Sequence, residues 1–478
     1  MKTIHSLARY FPDKCGGIQV NLDDLIPHIQ SMGMEVKIVA AKTDREQESS
    51  YIHKGVEVYR YLVDPKFKVQ PNRPQIIYKG FENFANWLKK QKVDQQADIY
   101  HQHHWEAICG LHHLRLAKEI GLRTVVTIHY PLPICQRHTL MLNGKSACDG
   151  KIDIVRCSRC SDSLSKNLPN TALKTLSHIP TSVISRLKLP ESAYLPSSPK
   201  NNELGSFVRP FVIPSNIASR QKNLQAMAKY ADQIIVVCNW LYQSLLINGI
   251  SEEKIILSRH GITYETDNMQ AGKIQIDNTE TQKNLDIKEN NNNNQTNNQI
   301  KSLKIVFLGR WDTSKGIDIL VKAIKSLPPE IKIELFIHAI AQDKAYYNRT
   351  IELIDKDPRI HIEKQLSRKE LPNVLKNYHL LAVPSQWLET GPLVVLEAHT
   401  NGLPVIGSNL GGIAELVKHQ ENGLLVPSDD INAWSTAFKR LYFEKNLLKQ
   451  LQQGIKPVRH IKEQASEIAQ IYTAMLSS

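Results

Sequence analysis

The sequence predicts an α/β protein of two doubly wound domains, each a parallel sheet covered by helices. Two observations carry this. A strand, a glycine-containing loop, a helix and a second strand open the chain at Lys2–Ala41, and the same order restarts at Leu303. Between the two halves lies ENNNNNQTNNQ (Glu289–Gln299), which has nothing apolar to bury. At 478 residues the chain is long enough for two separate cores.

In the first half, KTIHSLA (Lys2–Ala8) reads as a strand and IQVNLDDLIPHIQSMG as a helix closed by Gly33. The loop between them ends in Gly16-Gly17, a pair that lets the backbone approach a ligand closely. VKIVAA (Val36–Ala41) and VEVYRYLV are further strands, and PQIIYKGFENFANWLKKQ reads as a helix. DIYHQHH (Asp98–His104) ends a strand at a histidine cluster, His101, His103 and His104, with His112 and His113 in the following helix. No carboxylates stand at ligand spacing beside them, so they read as cleft-lining and helix histidines rather than metal ligands. TVVTIHYP then delivers His129 to the carboxyl end of a strand, where open α/β sheets bind ligands.

Cys135, Cys148, Cys157 and Cys160 follow in the pattern C-x12-C-x8-C-x2-C. Four thiolates so spaced can enclose a tetrahedral structural Zn²⁺ and hold together a loop too polar to pack by itself; reduced free thiols are the alternative. Arg137, Lys145, Lys151, Arg156 and Arg159 make this lobe basic, suited to an anionic acceptor or lipid headgroups. Residues 161–222 mix Leu, Ile and Val with Lys and Arg. They read as cover for the core, or else as an amphipathic helix at a membrane surface. Tyr230–Ile262 is strand, helix, Gly249 and strand, closing a first domain at residue 263; residues 264–302 read as a disordered linker.

The second domain spans residues 303–455. LKIVFLGRWDTSKGIDILVKAIKSL places Gly309-Arg310 at a strand end and Ser314-Lys315-Gly316 before a helix, so a planar guanidinium and an ammonium can reach a diphosphate above the sheet. In Val383–Pro427, two short apolar runs (Leu380–Ser385, Pro404–Ser408) flank a helix opened by Thr390-Gly391-Pro392, with Pro at its first position, and closed by Asn401-Gly402. Backbone N–H groups around Gly391 and Leu393 favour an anion there. Glu389 stands just before this helix and Glu397 rides on it; a diphosphate placed at the helix start would leave the two to accept hydroxyls. The D-x-D at Asp355-Lys356-Asp357 lies in a helix-end turn away from these motifs, so no divalent ion is expected on the diphosphate.

The net charge of +13 lies almost wholly in residues 1–262, which hold 34 Lys and Arg against 22 Asp and Glu. That favours an anionic partner, a membrane surface or a pyrophosphate-linked acceptor; no nucleic-acid motif accompanies the charge. No run of about 18 apolar residues occurs, so no membrane span is expected. MKTIHSLARYF reads as a strand and not a signal peptide, which places the expected compartment in the cytosol, in reach of the inner face of the plasma membrane.

Glu389 and Glu397, followed by P-V-I-G-S, G-G and E-N-G-L-L-V-P, resemble the donor-site signature of retaining group 1 (family 4) glycosyltransferases. The resemblance implies a GT-B fold, two Rossmann-like domains facing a central cleft, with the last helix (456–478) crossing back onto the first. It further implies a nucleotide sugar donor, a glycan or polyprenyl-linked acceptor, and metal-independent transfer with retention. Glu389, His129, Arg310 and Lys315 would be catalytic; Gly16, Gly17, Gly309, Thr390, Gly391, Pro392, Leu393 and Glu397 would bind the donor. An epimerase or phosphorylase of the same fold, or a non-catalytic sugar-nucleotide scaffold, are the competing readings.

Overall fold

The computed structural model describes residues 1–478 except 14–15, 43–46, 65–74, 76, 79, 188, 190, 195–202, 265–301, 445 and 478. The expected linker, but for its two end residues, therefore lies outside the described residues. The rest forms two compact units: Met1–His260 with Trp387–Gly391 and Ile461–Ser478, and Gly261–Gln386 with Pro392–His460.

The first unit holds β1 (Lys2–Leu7), β2 (Glu35–Lys42), β3 (Ser49–His53), β4 (Val56–Leu62), β5 (Ile99–Gln102), β6 (Arg123–Ile128), a small hairpin of β7 (Met141–Leu142) and β8 (Ser146–Ala147), then β9 (Gln233–Val236) and β10 (Ile255–Leu257). Eight of these make one sheet in the order β10-β9-β6-β5-β1-β2-β4-β3. All its pairings are parallel except β3 on β4. β1 and β5 are buried almost throughout because both faces of a central parallel strand are covered. Leu22, Leu25, Ile26 and Ile29 of the helix Gly17–Ser31 join Ile461, Ile468 and Tyr472 of the helix Ile461–Ser477 in one core. Each such side chain contributes about 1.5–3 kcal/mol on burial.

One segment departs from expectation, and another, read as cover for the core or an amphipathic helix, is given its form. The helix expected from Pro74 begins at Phe81, where Gly80 has φ 104° and a Cβ would lie 2.4 Å from the Leu62 carbonyl oxygen. Residues 161–222 contain the helices Asn170–Ser177 and Thr181–Arg186 and most of a 28-residue helix, Glu203–Tyr230, which buries Val212, Ile213, Ile217, Leu224 and Met227.

The second unit is a six-stranded parallel sheet of β11 (Leu303–Trp311), β12 (Ile333–Ala341), β13 (Ile360–Glu363), β14 (Leu380–Val383), β15 (Val405–Ser408) and β16 (Gly423–Val426), ordered β13-β12-β11-β14-β15-β16. The strand order reverses between β11 and β14. The crevice outside the carboxyl ends of those two strands is where such sheets take ligands. Ile305, Leu320, Ile324, Leu335, Trp434 and Phe438 fill one face of this sheet, and Val306, Leu381, Val395, Ala398 and Ile413 the other.

Candidate functional site

In the second unit the switch point carries the expected cations. Arg310 lies exposed near the end of β11, and Lys315 closes the turn Thr313–Lys315 that follows. That turn is built internally. The Asp312 carboxylate accepts from the Ser314 amide at 2.9 Å and from its hydroxyl at 2.5 Å, and the Lys315 amide donates to Asp312 O at 2.9 Å. Gln386, beyond β14, donates its amide to Ser314 O at 2.7 Å, so the loops on either side of the switch point are joined. Gly316 completes the turn at φ 67°, and a Cβ there would lie 2.1 Å from Pro384 O. Only a residue without a side chain fits.

The helix after β14 runs Leu393–Thr400. Pro392 is its N-cap, with extended ψ of 117°, not its first helical residue as the sequence suggested. No side chain caps this end, and of the first-turn amides that of Val395 donates to Pro392 O at 3.0 Å. Glu397 is half-buried on this helix and pairs with Arg368 at 3.5 Å. The reach of Arg368 to Glu397 follows from the fold and leaves no local signal in the sequence. A pocket of about 470 Å³ beside the turn is lined by Thr313, Asp318, Lys322, Tyr346, Arg349 and Gln386, and not by Arg310 or Lys315.

Glu389 and Thr390 sit in the segment grouped with the first unit. Hydrogen bonds that hold that segment include Leu388 N to Thr139 O (3.2 Å), Trp240 Nε1 to Glu389 O (2.8 Å), Trp387 Nε1 to Glu389 Oε1 (2.9 Å) and Thr390 Oγ1 to His129 O (2.6 Å). Glu389 is 6 % exposed, so its carboxylate is pre-oriented by the Trp387 indole. Gly391, at φ 131°, passes His260 closely enough that a Cβ would lie 3.8 Å from Nδ1. Trp240, Trp387 and His260 were not singled out by sequence; none belongs to a spaced motif.

His129 follows β6 as expected, buried, with Nε2 3.1 Å from His103 Nδ1 and Nδ1 3.3 Å from His260 Nε2. Burial, and then the neighbouring His260 and His104, hold its pKa well below the usual imidazole value. Burial likewise lowers His5 to about 3 and His104 to about 4. These rings are neutral at neutral pH. Gly16 and Gly17 stand exposed at the start of the helix Gly17–Ser31, with Gly16 N donating to Gln19 Oε1 at 3.0 Å. Gly309 lies in β11 beside Ala339 of β12.

Cys135, Cys148, Cys157 and Cys160 are gathered on one lobe as partly exposed free thiols, the last two on the helix Ile154–Ser161. Cys160 Sγ accepts from Asn143 N at 3.1 Å and Cys157 Sγ from Asp153 N at 3.5 Å. Burial pushes the Cys157 thiol up to about 11, while Arg156 opposes the rise. Among the described residues, the group whose ligand atoms all lie within 4.8 Å of one another is His5, His101 and His103, and no cysteine belongs to such a group. In the D-x-D, Asp357 pairs with Arg359 at 2.8 Å.

The whole-chain architecture matches solved glycosyltransferases. Sucrose-phosphate synthase from Thermosynechococcus elongatus superposes with a TM-score of 0.61 at 16 % identity, covering all of both chains. WaaG, a glycosyltransferase involved in lipopolysaccharide biosynthesis, gives 0.56 at 13 % identity, over 98 % of this chain and 99 % of that one. The fold is therefore GT-B. Residues 288–457 match the model for glycosyl transferases group 1, and residues 15–150 that for Glycosyltransferase Family 4. The chain thus carries a group 1 glycosyl transferase domain and a Glycosyltransferase Family 4 domain.

Among curated relatives, an uncharacterized 41.2 kDa protein in the cps region of Klebsiella pneumoniae is 27 % identical over 43 % of this chain and 51 % of its own length. A UDP-Gal:alpha-D-GlcNAc-diphosphoundecaprenol alpha-1,3-galactosyltransferase of Escherichia coli is 40 % identical over 17 % of this chain and 20 % of its own. The chain thus spans about half, or less, of the length of the curated relatives it matches.

Proposed function

We propose that the protein transfers a glycosyl group from a nucleoside diphosphate sugar to a hydroxyl of a glycan or polyprenyl-linked acceptor, with retention at the anomeric carbon. The observation that carries this is the pair Arg310 and Lys315 at the switch point of the unit matched by the group 1 model. The chemistry requires charge to be met on a departing diphosphate. A guanidinium fork and an ammonium supply it, aided by the N-terminal end of the helix Leu393–Thr400, which no side chain caps. With Asp357 committed to Arg359, these groups take the role a divalent ion would otherwise fill. Glu389 orients the sugar hydroxyls, Glu397 the ribose, and His129 contacts the sugar. The acceptor hydroxyl attacks from the face the diphosphate leaves.

A nucleotide donor is supported by Anabaena HepE, a structural neighbour solved with UDP and with UDP-glucose. A role in bacterial surface polysaccharide synthesis is supported by the relatives named above. Among the described residues no helix is long and apolar enough to cross a membrane. Phe207 and Phe211, four residues apart on one helix and 72 % and 56 % exposed, support peripheral contact with the cytoplasmic face of a membrane that carries the acceptor.

The test is a panel of nucleotide sugars with and without undecaprenyl-diphosphate-linked saccharides. Nucleoside diphosphate release that requires acceptor, with an α-linked product from an α-donor, is the expected result. Turnover without acceptor would show an epimerase. Phosphate-dependent release of sugar phosphate would show a phosphorylase, and binding without turnover a scaffold.

The cysteine lobe we assign to a structural Zn²⁺. The donor set fits: four thiols on one lobe, with N–H groups on two of the sulfurs. The sulfurs would draw together on the metal. Protein purified under reducing conditions is expected to carry about one equivalent of zinc, lost in Cys157→Ser/Cys160→Ser. Less than about half an equivalent in fresh wild type would contradict the assignment.

A further inference from the structure

The backbone around Thr139 is held in a conformation its neighbours resist. His138 and Leu140, on either side of it, both lie in the left-handed region, at φ 62° and 50°. A bulky side chain is rarely found there, and such residues persist only where their surroundings fix them. What this turn presents is the Thr139 carbonyl, which accepts from Leu388 N at 3.2 Å, one residue before Glu389.

Thr139 belongs to the cysteine lobe, and the thiols share in the bonding that shapes it. Leu140 O accepts from Cys148 N at 2.8 Å, while Cys160 Sγ accepts from Asn143 N at 3.1 Å and Cys157 Sγ from Asp153 N at 3.5 Å. The hairpin of β7 and β8 is only two residues long on each side, too short to hold the lobe by itself.

The lobe also seats a helix. Ile152 N donates to Asn248 Oδ1 at 2.9 Å and Asn248 Nδ2 to Gly150 O at 2.8 Å, Asn248 being the C-cap of the helix Asn239–Ile247. Gly150, at φ 82°, comes so near that a Cβ would lie 2.3 Å from Ser244 Oγ of that helix. Trp240, in the first turn of the same helix, donates Nε1 to Glu389 O. The lobe thus reaches the Glu389 segment by two routes, through Thr139 and through this helix.

An anion dock is the competing use of so basic a lobe. Its guanidiniums are instead engaged within the first unit: Arg137 Nη1 donates to Cys160 O (3.2 Å), Arg156 pairs with Asp149 (2.6 Å) and Arg159 Nη2 donates to Leu168 O (3.0 Å). They knit the lobe together, which suits a brace.

We propose that the cysteine lobe is the positioning element of Glu389: held by its thiols, it fixes Thr139 and the helix Asn239–Ile247, and these fix the segment that bears the carboxylate. With the thiols removed or blocked, that segment loosens and transfer slows. Thr139, through its backbone, and Trp240 are positioning residues. The effect on transfer rests on the role proposed above for Glu389. The brace itself concerns the free protein and does not depend on which ion closes the lobe.

Hydrogen exchange of the full chain, followed at the Leu388 amide, reads the brace directly, because that buried N–H exchanges when its bond to Thr139 O opens. Cys157→Ser/Cys160→Ser should exchange there at least about tenfold faster than wild type. Asn248→Ala, which alters neither a thiol nor the Glu389 segment, should shift it in the same direction. Thermal unfolding shows which variants keep the fold. Unchanged exchange in a folded Cys157→Ser/Cys160→Ser overturns the proposal; if that variant does not fold, unchanged exchange in Asn248→Ala overturns it.

Steady-state kinetics give the second readout. The folded variants should lose about tenfold in kcat and keep their affinity for whichever of UDP, ADP and GDP binds the wild type, since Arg310 and Lys315 belong to the second unit. An equal loss of nucleotide affinity would mean general loosening and overturn the positioning role. Faster exchange with undiminished kcat would leave the brace standing and count against the role of Glu389, so the two readings fail separately.

Discussion

Glu389→Gln should lower the transfer rate at least about a hundredfold while leaving the fold intact, the size of one lost contact made to the reacting sugar. The substitution keeps the shape of the side chain and removes its charge. Its amide oxygen can still accept from the Trp387 indole, and the backbone carbonyl that Trp240 holds is untouched. Both of these bonds survive the substitution, so the effect reads the charge of the carboxylate. Because Glu389 is almost fully buried and fixed before any ligand arrives, the loss should appear in kcat more than in KM. Steady-state kinetics with the donor identified by the panel would check this, alongside thermal unfolding of the variant. Undiminished kcat would remove Glu389 from the reaction.

Much of this molecule was open to reading because parallel α/β sheets write themselves plainly. The runs VKIVAA and PVIGS are largely apolar, KTIHSLA precedes a glycine loop and a helix, and they became β2, β15 and β1. The turn at Ser314-Lys315-Gly316 was legible because glycine is demanded there by the Pro384 carbonyl. Other parts follow from packing that no local pattern encodes. β3 is a five-residue antiparallel edge strand with alternating exposure, too short to announce itself. The helix Glu203–Tyr230 contains Pro210 and Pro214, which argue against a helix locally, and it buries Arg209, Ser215, Asn216, Arg220 and Asn223 beside its apolar residues. A helix buried on so many sides shows no polar stripe to read.

The candidate site divides in the same way. Its cations and acids sit in recognisable order along the chain. Its supporting partners, Arg368 for Glu397, Trp387 and Trp240 for Glu389, and the imidazoles beside His129, come from other elements and are brought together only by the fold. The histidines near β5 illustrate the difference. The sequence read them as cleft-lining and helix residues; His101 and His103 are buried and bound a small cavity.

The second large effect is expected at Arg310 and Lys315. Arg310 is exposed and Lys315 half-exposed, and the turn that presents them is held by Asp312, Ser314, Gly316 and Gln386 through backbone and short side-chain bonds. Truncating both side chains leaves that turn standing. Each charge-assisted hydrogen bond to phosphate is worth about 1.5–3 kcal/mol, so losing two sets a minimum of about a hundredfold in affinity. Calorimetric titration of UDP, ADP and GDP into wild type and Arg310→Ala/Lys315→Ala measures this without any knowledge of the acceptor. One of the three nucleotides should bind the wild type and lose at least about a hundredfold in the double variant, which should unfold at the wild-type temperature. Equal affinity in the two proteins would mean that the diphosphate does not dock at the β11 turn.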